Sequence, residues 1–183
     1  MPLLVPGSQS LGISHAMYGR TDEARSSTSN PLDLLEEIAS AQDWGCDRTG
    51  DGDLVARISG RWSDYSLHFS WNHDHSVLQL FCGVALRIPR HRRAAVSELL
   101  MLANGQMWMG HFDLPPDDDM PIFRHAVPLR GIRGASVELL EDLIEGAVNE
   151  CERYHPALQF VVWGDKAPAA AMAAAIPETR GEA

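Results

Sequence analysis

The sequence predicts an α+β domain of two layers, an antiparallel sheet with helices packed on it, in the order helix, four strands, helix, two strands, helix. Three observations carry that expectation. Apolar residues recur at helical spacing in three separate stretches. Between Trp44 and Ile88 the apolar period drops to two residues. Glycine, proline, asparagine and aspartate stand where the pattern changes, as turns require.

The first helix begins at "SNPLDLLEEIASAQDW". Asn30 can accept a hydrogen bond from the first turn, Pro31 suits the first helical position, and Asp33, Glu36 and Glu37 favour the positive end of the helix dipole. Leu34, Leu35 and Ile38 supply its apolar face, and it should end near Gln42.

From Trp44 onward the chain reads as sheet. A short strand at 44–48 precedes "DLVARIS", "YSLHFSW" and the long β-rich run "VLQLFCGVALRI". Tyr65, Leu67, Phe69 and Trp71 alternate with Ser66, His68 and Ser70, so one face packs and the other meets water. The turns "DRTGDGD", "GRWSD" and "NHDHS" close a four-stranded meander.

Pro89 ends that run, and "HRRAAVSELLMLANG" predicts a second helix with Val96, Leu99, Leu100 and Ala103 buried and Asn104-Gly105 as its stop. Two strands follow, "QMWMGHFDL" and "PIFRHAVPL", joined across "PPDDDM". Strand alternation puts Trp108, Gly110, Phe112 and Leu114 on one face and Met109, His111 and Asp113 on the other. The third helix is capped by Ser136. Its stripe of Val137, Leu140, Ile144, Ala147, Cys151 and Tyr154 fits either a core or a dimer seam. Pro156 is expected to kink or break it. "ALQFVVW" carries both strand and helix signals, and "APAAAMAAAIPE" reads as a short Ala-rich helix.

Residues 1–30 hold Ser, Gly, Thr and Asn without apolar period and read as a disordered leader, with Met17 as the expected start. The domain covers residues 31–176, and residues 177–183 read as a flexible tail. At 183 residues the chain can bury a substantial core. Its formal charge of −10 argues against a nucleic-acid partner, because phosphate binding needs a basic face. The tightest basic cluster, "RHRR" at 90–93, fits a solvated first turn. Cys46, Cys82 and Cys151 are scattered without CxxC spacing, which suits reduced core thiols. No apolar run approaches the roughly twenty residues that span a bilayer. A cytoplasmic protein with no membrane partner is expected.

Three groups of stretches, "GRWSDY", "GHFDL" with "MPIFRH" and "LRG", and "NECERYHPALQFVVWG", together resemble the YbjN family of bacterial sensory transduction regulators. The resemblance runs from about residue 31 to residue 176. It implies a fold like that of type III secretion chaperones: small dimeric α+β proteins that bind protein segments and catalyse nothing. One departure is "NHDHS", where relatives would carry an acidic or glycine-containing turn, so His73 and His75 have no family-wide metal role.

The densest polar stretch is "MGHFDLPPDDDMPIFRH". His111, Asp113 and His125 would make a metal centre only if they converged with further ligands. The structural reading is favoured. Arg124 faces Asp113 across the hairpin, Asp117, Asp118 and Asp119 form a solvated turn, and Pro115, Pro116 and Pro121 block edge pairing. No GxSxG, Walker loop, HExxH or GxGxxG occurs, and "GDGD" lacks the downstream glutamate of a calcium loop. No catalytic residue, metal or cofactor is therefore expected.

The remaining signal is aromatic. Trp62, Tyr65, Trp108, Phe112, Phe123 and Trp163 are the candidate partner-binding residues, on an apolar groove of the sheet or between helix and sheet. The expected function is that of a non-enzymatic, chaperone-like regulator that dimerises and binds a protein segment. The alternatives are a small metal- or cysteine-dependent enzyme centred on the 109–125 hairpin, or a small-molecule sensor.

Overall fold

The side chain of Asn30 accepts a hydrogen bond from the Leu32 N–H at 3.0 Å, and Pro31 opens helix α1 (Pro31–Ala41). The computed structural model describes residues 29–176. Met17, most of the expected leader and the 177–183 tail lie outside the described residues. Leu32, Leu35 and Ile38 are buried beneath α1, while Leu34, expected on that face, is half-buried at its flank.

Four strands follow: β1 (Gly45–Thr49), β2 (Asp53–Ser59), β3 (Asp64–Asn72) and β4 (Val77–Gly83). They form the expected antiparallel meander. In β3, Tyr65, Leu67, Phe69 and Trp71 are buried, while Ser66 and His68 are exposed. β4 stops at Gly83, short of the β-rich run that continues to Ile88. The N–H groups of Val84 and Ile88 donate to the carbonyls of Pro121 and Asp119, so this stretch ties down a loop instead of extending a ladder.

Helix α2 (Arg93–Asn104) buries Val96, Leu99, Leu100 and Ala103, as its spacing requires. The hairpin then forms from β5 (His111–Asp113) and β6 (Ile122–Pro128). The expected strand from Gln106 is much shorter than its sequence suggested. Gly110 adopts φ +68°, a left-handed conformation that no strand contains, and a side chain there would collide with Phe123. Met109 meanwhile reaches α3 beside Gly146. Trp108 therefore does not share the buried face of Phe112 and is 86% exposed.

Helix α3 (Val137–Val162) is capped by Ser136, which accepts from the Leu139 N–H at 3.2 Å. It continues through Pro156 without the break that was one of the two expected outcomes. Proline in a helix interior costs about 3 kcal/mol. Tyr154, Ala157, Leu158, Val161 and Val162 are all buried around it, and each large apolar side chain returns roughly 1.5–3 kcal/mol. Burial wins, and "ALQFVVW" is helical. Apart from Val137, which is exposed, the α3 stripe is core within a single chain.

Helix α4 (Pro168–Ala175) packs on α2 and α3. The sheet runs β1-β2-β3-β4-β6-β5. α1 covers β1 to β3, α3 covers β4 and β6, and α2 covers β5. All four helices thus lie on or above one face. The other face presents Arg57, His68, Gln79, Phe81 and Arg124, and among the described residues no helix covers it.

Candidate functional site

The polar hairpin is held by its backbone. The Arg93 guanidinium donates to the carbonyls of Asp118 at 2.6 Å and Leu114 at 2.9 Å, and also to that of Pro115. Arg87 pairs with Asp119 at 3.0 Å, and the Asp118 side chain accepts from the Met120 N–H at 3.1 Å. Asn104 clasps Phe112 from both sides, donating to its carbonyl at 3.0 Å and accepting from its N–H at 2.7 Å. These bonds make the aspartate-rich turn a strapped loop.

On the uncovered face, Arg124 bonds Asp113 at 2.9 Å, as expected, although the residue directly opposite Arg124 is His111. Its guanidinium also lies 5.1 Å from the centre of the Phe81 ring. Both partners of the ion pair are about two-fifths exposed, so it contributes under about 1 kcal/mol. His125 pairs with Leu80 one residue further along β6 and leaves on the opposite face. Burial holds its pKa below the usual histidine value, with a smaller push from nearby His111. The three residues of the supposed metal centre are thus divided between two faces. Among the described residues, no group of three or more His, Cys, Asp or Glu is arranged to hold a metal ion.

His73 accepts from the Trp71 indole N–H at 3.0 Å, and His75 contacts Asn72 at 3.0 Å, so both histidines brace their own turn. The thiols of Cys82 and Cys151 touch at 3.6 Å in the core. Contact with Cys82, followed by burial, pushes the Cys151 thiol well above its ordinary pKa. Burial also raises Cys46. Thiols raised in this way are poor nucleophiles at neutral pH.

Two of the resemblance-carrying stretches, "GRWSDY" and "NECERYHP", meet in space. One carboxylate oxygen of Glu152 accepts from the backbone N–H of Arg61 at 2.6 Å and of Trp62 at 3.4 Å. The Trp62 ring stacks on His155, with centroids 6.0 Å apart and planes 3° from parallel. The Arg61 guanidinium also sits 5.0 Å from the Trp62 ring centre. Beneath them, Ser63 Oγ, Tyr65 Oη and His155 Nδ1 are buried, Tyr65 Oη lying beside Ser63 and Glu152. Burial lowers the His155 pKa and raises that of Tyr65. Glu152 and His155 were not singled out by sequence reasoning. Their signal was that both stretches carry the same family resemblance.

The six aromatic candidates divide evenly. Trp62 is 41% exposed and Trp163 is 68% exposed, and both join Trp108 at the surface. Tyr65, Phe112 and Phe123 are buried in the core, because each stands on the helix-facing side of its strand, and none offers surface to a partner.

The depression on the uncovered sheet face, about 470 Å³, is lined mainly by polar side chains, among them Gln79, His111 and Arg124 beside Phe81. The apolar opening is instead at the β1–β2 end, between α1 and α3. This cleft of about 340 Å³ is lined by Ile38, Trp44, Ile58, Ile144 and Val148, with Gln42, Glu141, Glu145 and Asn149 around them. Trp44, Ile58 and Val148 are only partly buried, so the floor is reachable from outside. Ligand pockets run from about 300 to 1,000 Å³, which makes this one large enough for an anchoring side chain or two.

These features define a class: an α+β protein with helices on one face of an antiparallel sheet and an open apolar cleft. The chain belongs to the YbjN family, whose model, described as "Putative bacterial sensory transduction regulator", matches residues 31–160. Among solved structures, the chain is similar to the crystal structure of YbjN from E. coli. Identity is 8% and the TM-score 0.47, with 73% of this chain and 89% of that chain covered. No curated protein matches. Among the described residues, no helix is long and apolar enough to cross a membrane.

Proposed function

We propose that this protein is a non-enzymatic, chaperone-like regulator that binds a protein segment in the cleft between α1 and α3 and acts as a homodimer. The observation that carries this reading is the cleft itself, a concave apolar floor of Trp44, Ile58 and Val148 left open between two helices. Family membership supports a regulatory rather than a catalytic role. The placement of His125 on the strand face opposite His111 and Asp113 favours this reading over a hairpin metal enzyme. Pairing of two copies is supported by the apolar surface at Met101, Leu102, Trp108 and Trp163, which lie in or beside α2 and at the C-terminal end of α3.

A photoreactive amino acid placed at Val148 in the full chain, irradiated in its own cells, tests the cleft. Cross-links to one defined protein segment support it, and their absence from the cleft overturns it. Native mass measurement tests the pairing, and a monomer at working concentration would remove that part.

A further inference from the structure

The cleft has a charge preference and a shape, and both restrict its partner. Its charged lining residues are Glu141 and Glu145, one turn apart on α3, and among the described residues no cation lines it. Neither glutamate is in an ion pair among the described residues. An arriving cation would therefore meet carboxylates on the α3 wall, and an arriving anion would be repelled there.

The shape is that of a groove between helices. Ile38 on α1 and Gln42, which caps its C-terminal end, form one row spaced by four residues. Ile144 with Val148, and Glu141 with Glu145 and Asn149, form two more on α3. Side-chain ridges spaced by four, with a furrow between them, are what another helix packs into. The apolar row lies deeper than the acidic one, because Ile144 is 5% exposed whereas Glu141 and Glu145 are exposed. A helix entering there meets grease at its centre and carboxylates at its edge.

We propose that the α1–α3 cleft takes a basic amphipathic helix of a partner protein, which seats one or two apolar side chains on Trp44, Ile58 and Val148 and presents lysine or arginine to Glu141 and Glu145. This rests on the reading of the cleft as the protein-binding site and names the chemistry of what enters it.

The test uses the full chain and three synthetic peptides. One carries leucine along one helical face and lysine on the others, the second replaces its lysines by glutamate, and the third replaces its leucines by serine. Binding is titrated by calorimetry against the unchanged chain and three variants. Glu141→Lys with Glu145→Lys reverses the cleft rim. Val148→Trp fills the floor. Asp117→Lys with Asp118→Lys makes the same change in net charge at the distant hairpin.

The leucine–lysine peptide should bind the unchanged chain, and its affinity should fall at least about tenfold with either cleft change. The hairpin change should cost less than about twofold, and the other two peptides should not bind. Equal loss from the hairpin change would reduce the effect to overall charge and overturn the proposal. So would binding by the glutamate peptide, or no binding at all by the lysine one. If the lysine peptide fails while cross-linking at Val148 still captures a segment, only the basic chemistry falls and the protein-binding reading stands.

Discussion

Trp62 lies flat against His155, 6.0 Å between ring centres, and Glu152 holds the backbone of the same turn one helical turn away. This contact fastens the β2–β3 turn to α3. The imidazole is shielded by the indole and is 3% exposed, so charging it in place is unfavourable.

Stability should therefore fall in acid. Burial lowers the pKa of His155, and also that of His125, below the unfolded value of about 6.5. The stability these groups contribute is present above that value and is lost as pH falls through their folded ones. Glu150 acts with the opposite sign. Burial raises its pKa, so its contribution is present at low pH and lost as pH rises through the raised value. The urea midpoint should be lower at about pH 5 than at about pH 7.5. His155→Phe should show a smaller acid loss than the unchanged chain, and an equal loss would place the effect elsewhere.

Glu152→Ala leaves the Arg61 and Trp62 N–H groups without their acceptor. A cost of about 1–3 kcal/mol is expected in urea unfolding, with Glu152→Gln between the two. Hydrogen exchange at Arg61 and Trp62 should quicken in the alanine variant, and unchanged protection there would refute the fastening.

Asn104→Ala removes both bonds to Phe112 and should cost about 1–3 kcal/mol, with faster exchange confined to β5. Asn104→Asp keeps the acceptor, loses the donor, and should fall between.

Pro156→Ala restores a helical N–H in the middle of α3 and should raise the unfolding midpoint, by up to about 3 kcal/mol. A drop would mean that the proline's effect on the unfolded chain outweighs its helical cost.

Dialysis against a chelator should leave the thermal midpoint unchanged, because His125 leaves β6 on the face opposite His111 and Asp113. A lowered midpoint that zinc restores would show a metal contribution which this geometry does not supply.

The meander and the helix faces were readable because burial imposes a period on the residues that meet the core. Tyr65 to Trp71, and Val96 to Ala103, announced themselves in that way. What escaped was set by tertiary contact. The Gln106–Gly110 stretch alternates like a strand, but Met109 is drawn onto α3 and Gly110 into a left-handed turn. Pro156 has a strong local cost that the buried residues around it outweigh. The cleft was invisible for a third reason. Ile38, Trp44, Ile58 and Val148 each obey the pattern of their own element, and only the gap between α1 and α3 leaves them reachable.

α3 is one continuous helix of 26 residues, about 39 Å of helical rise. Its first half walls the cleft through Glu141 to Asn149, and its middle carries Glu152 and His155. A guest that wedges α3 away from α1 would tilt the same beam on which the indole of Trp62 rests, so its emission should register occupancy without touching the guest.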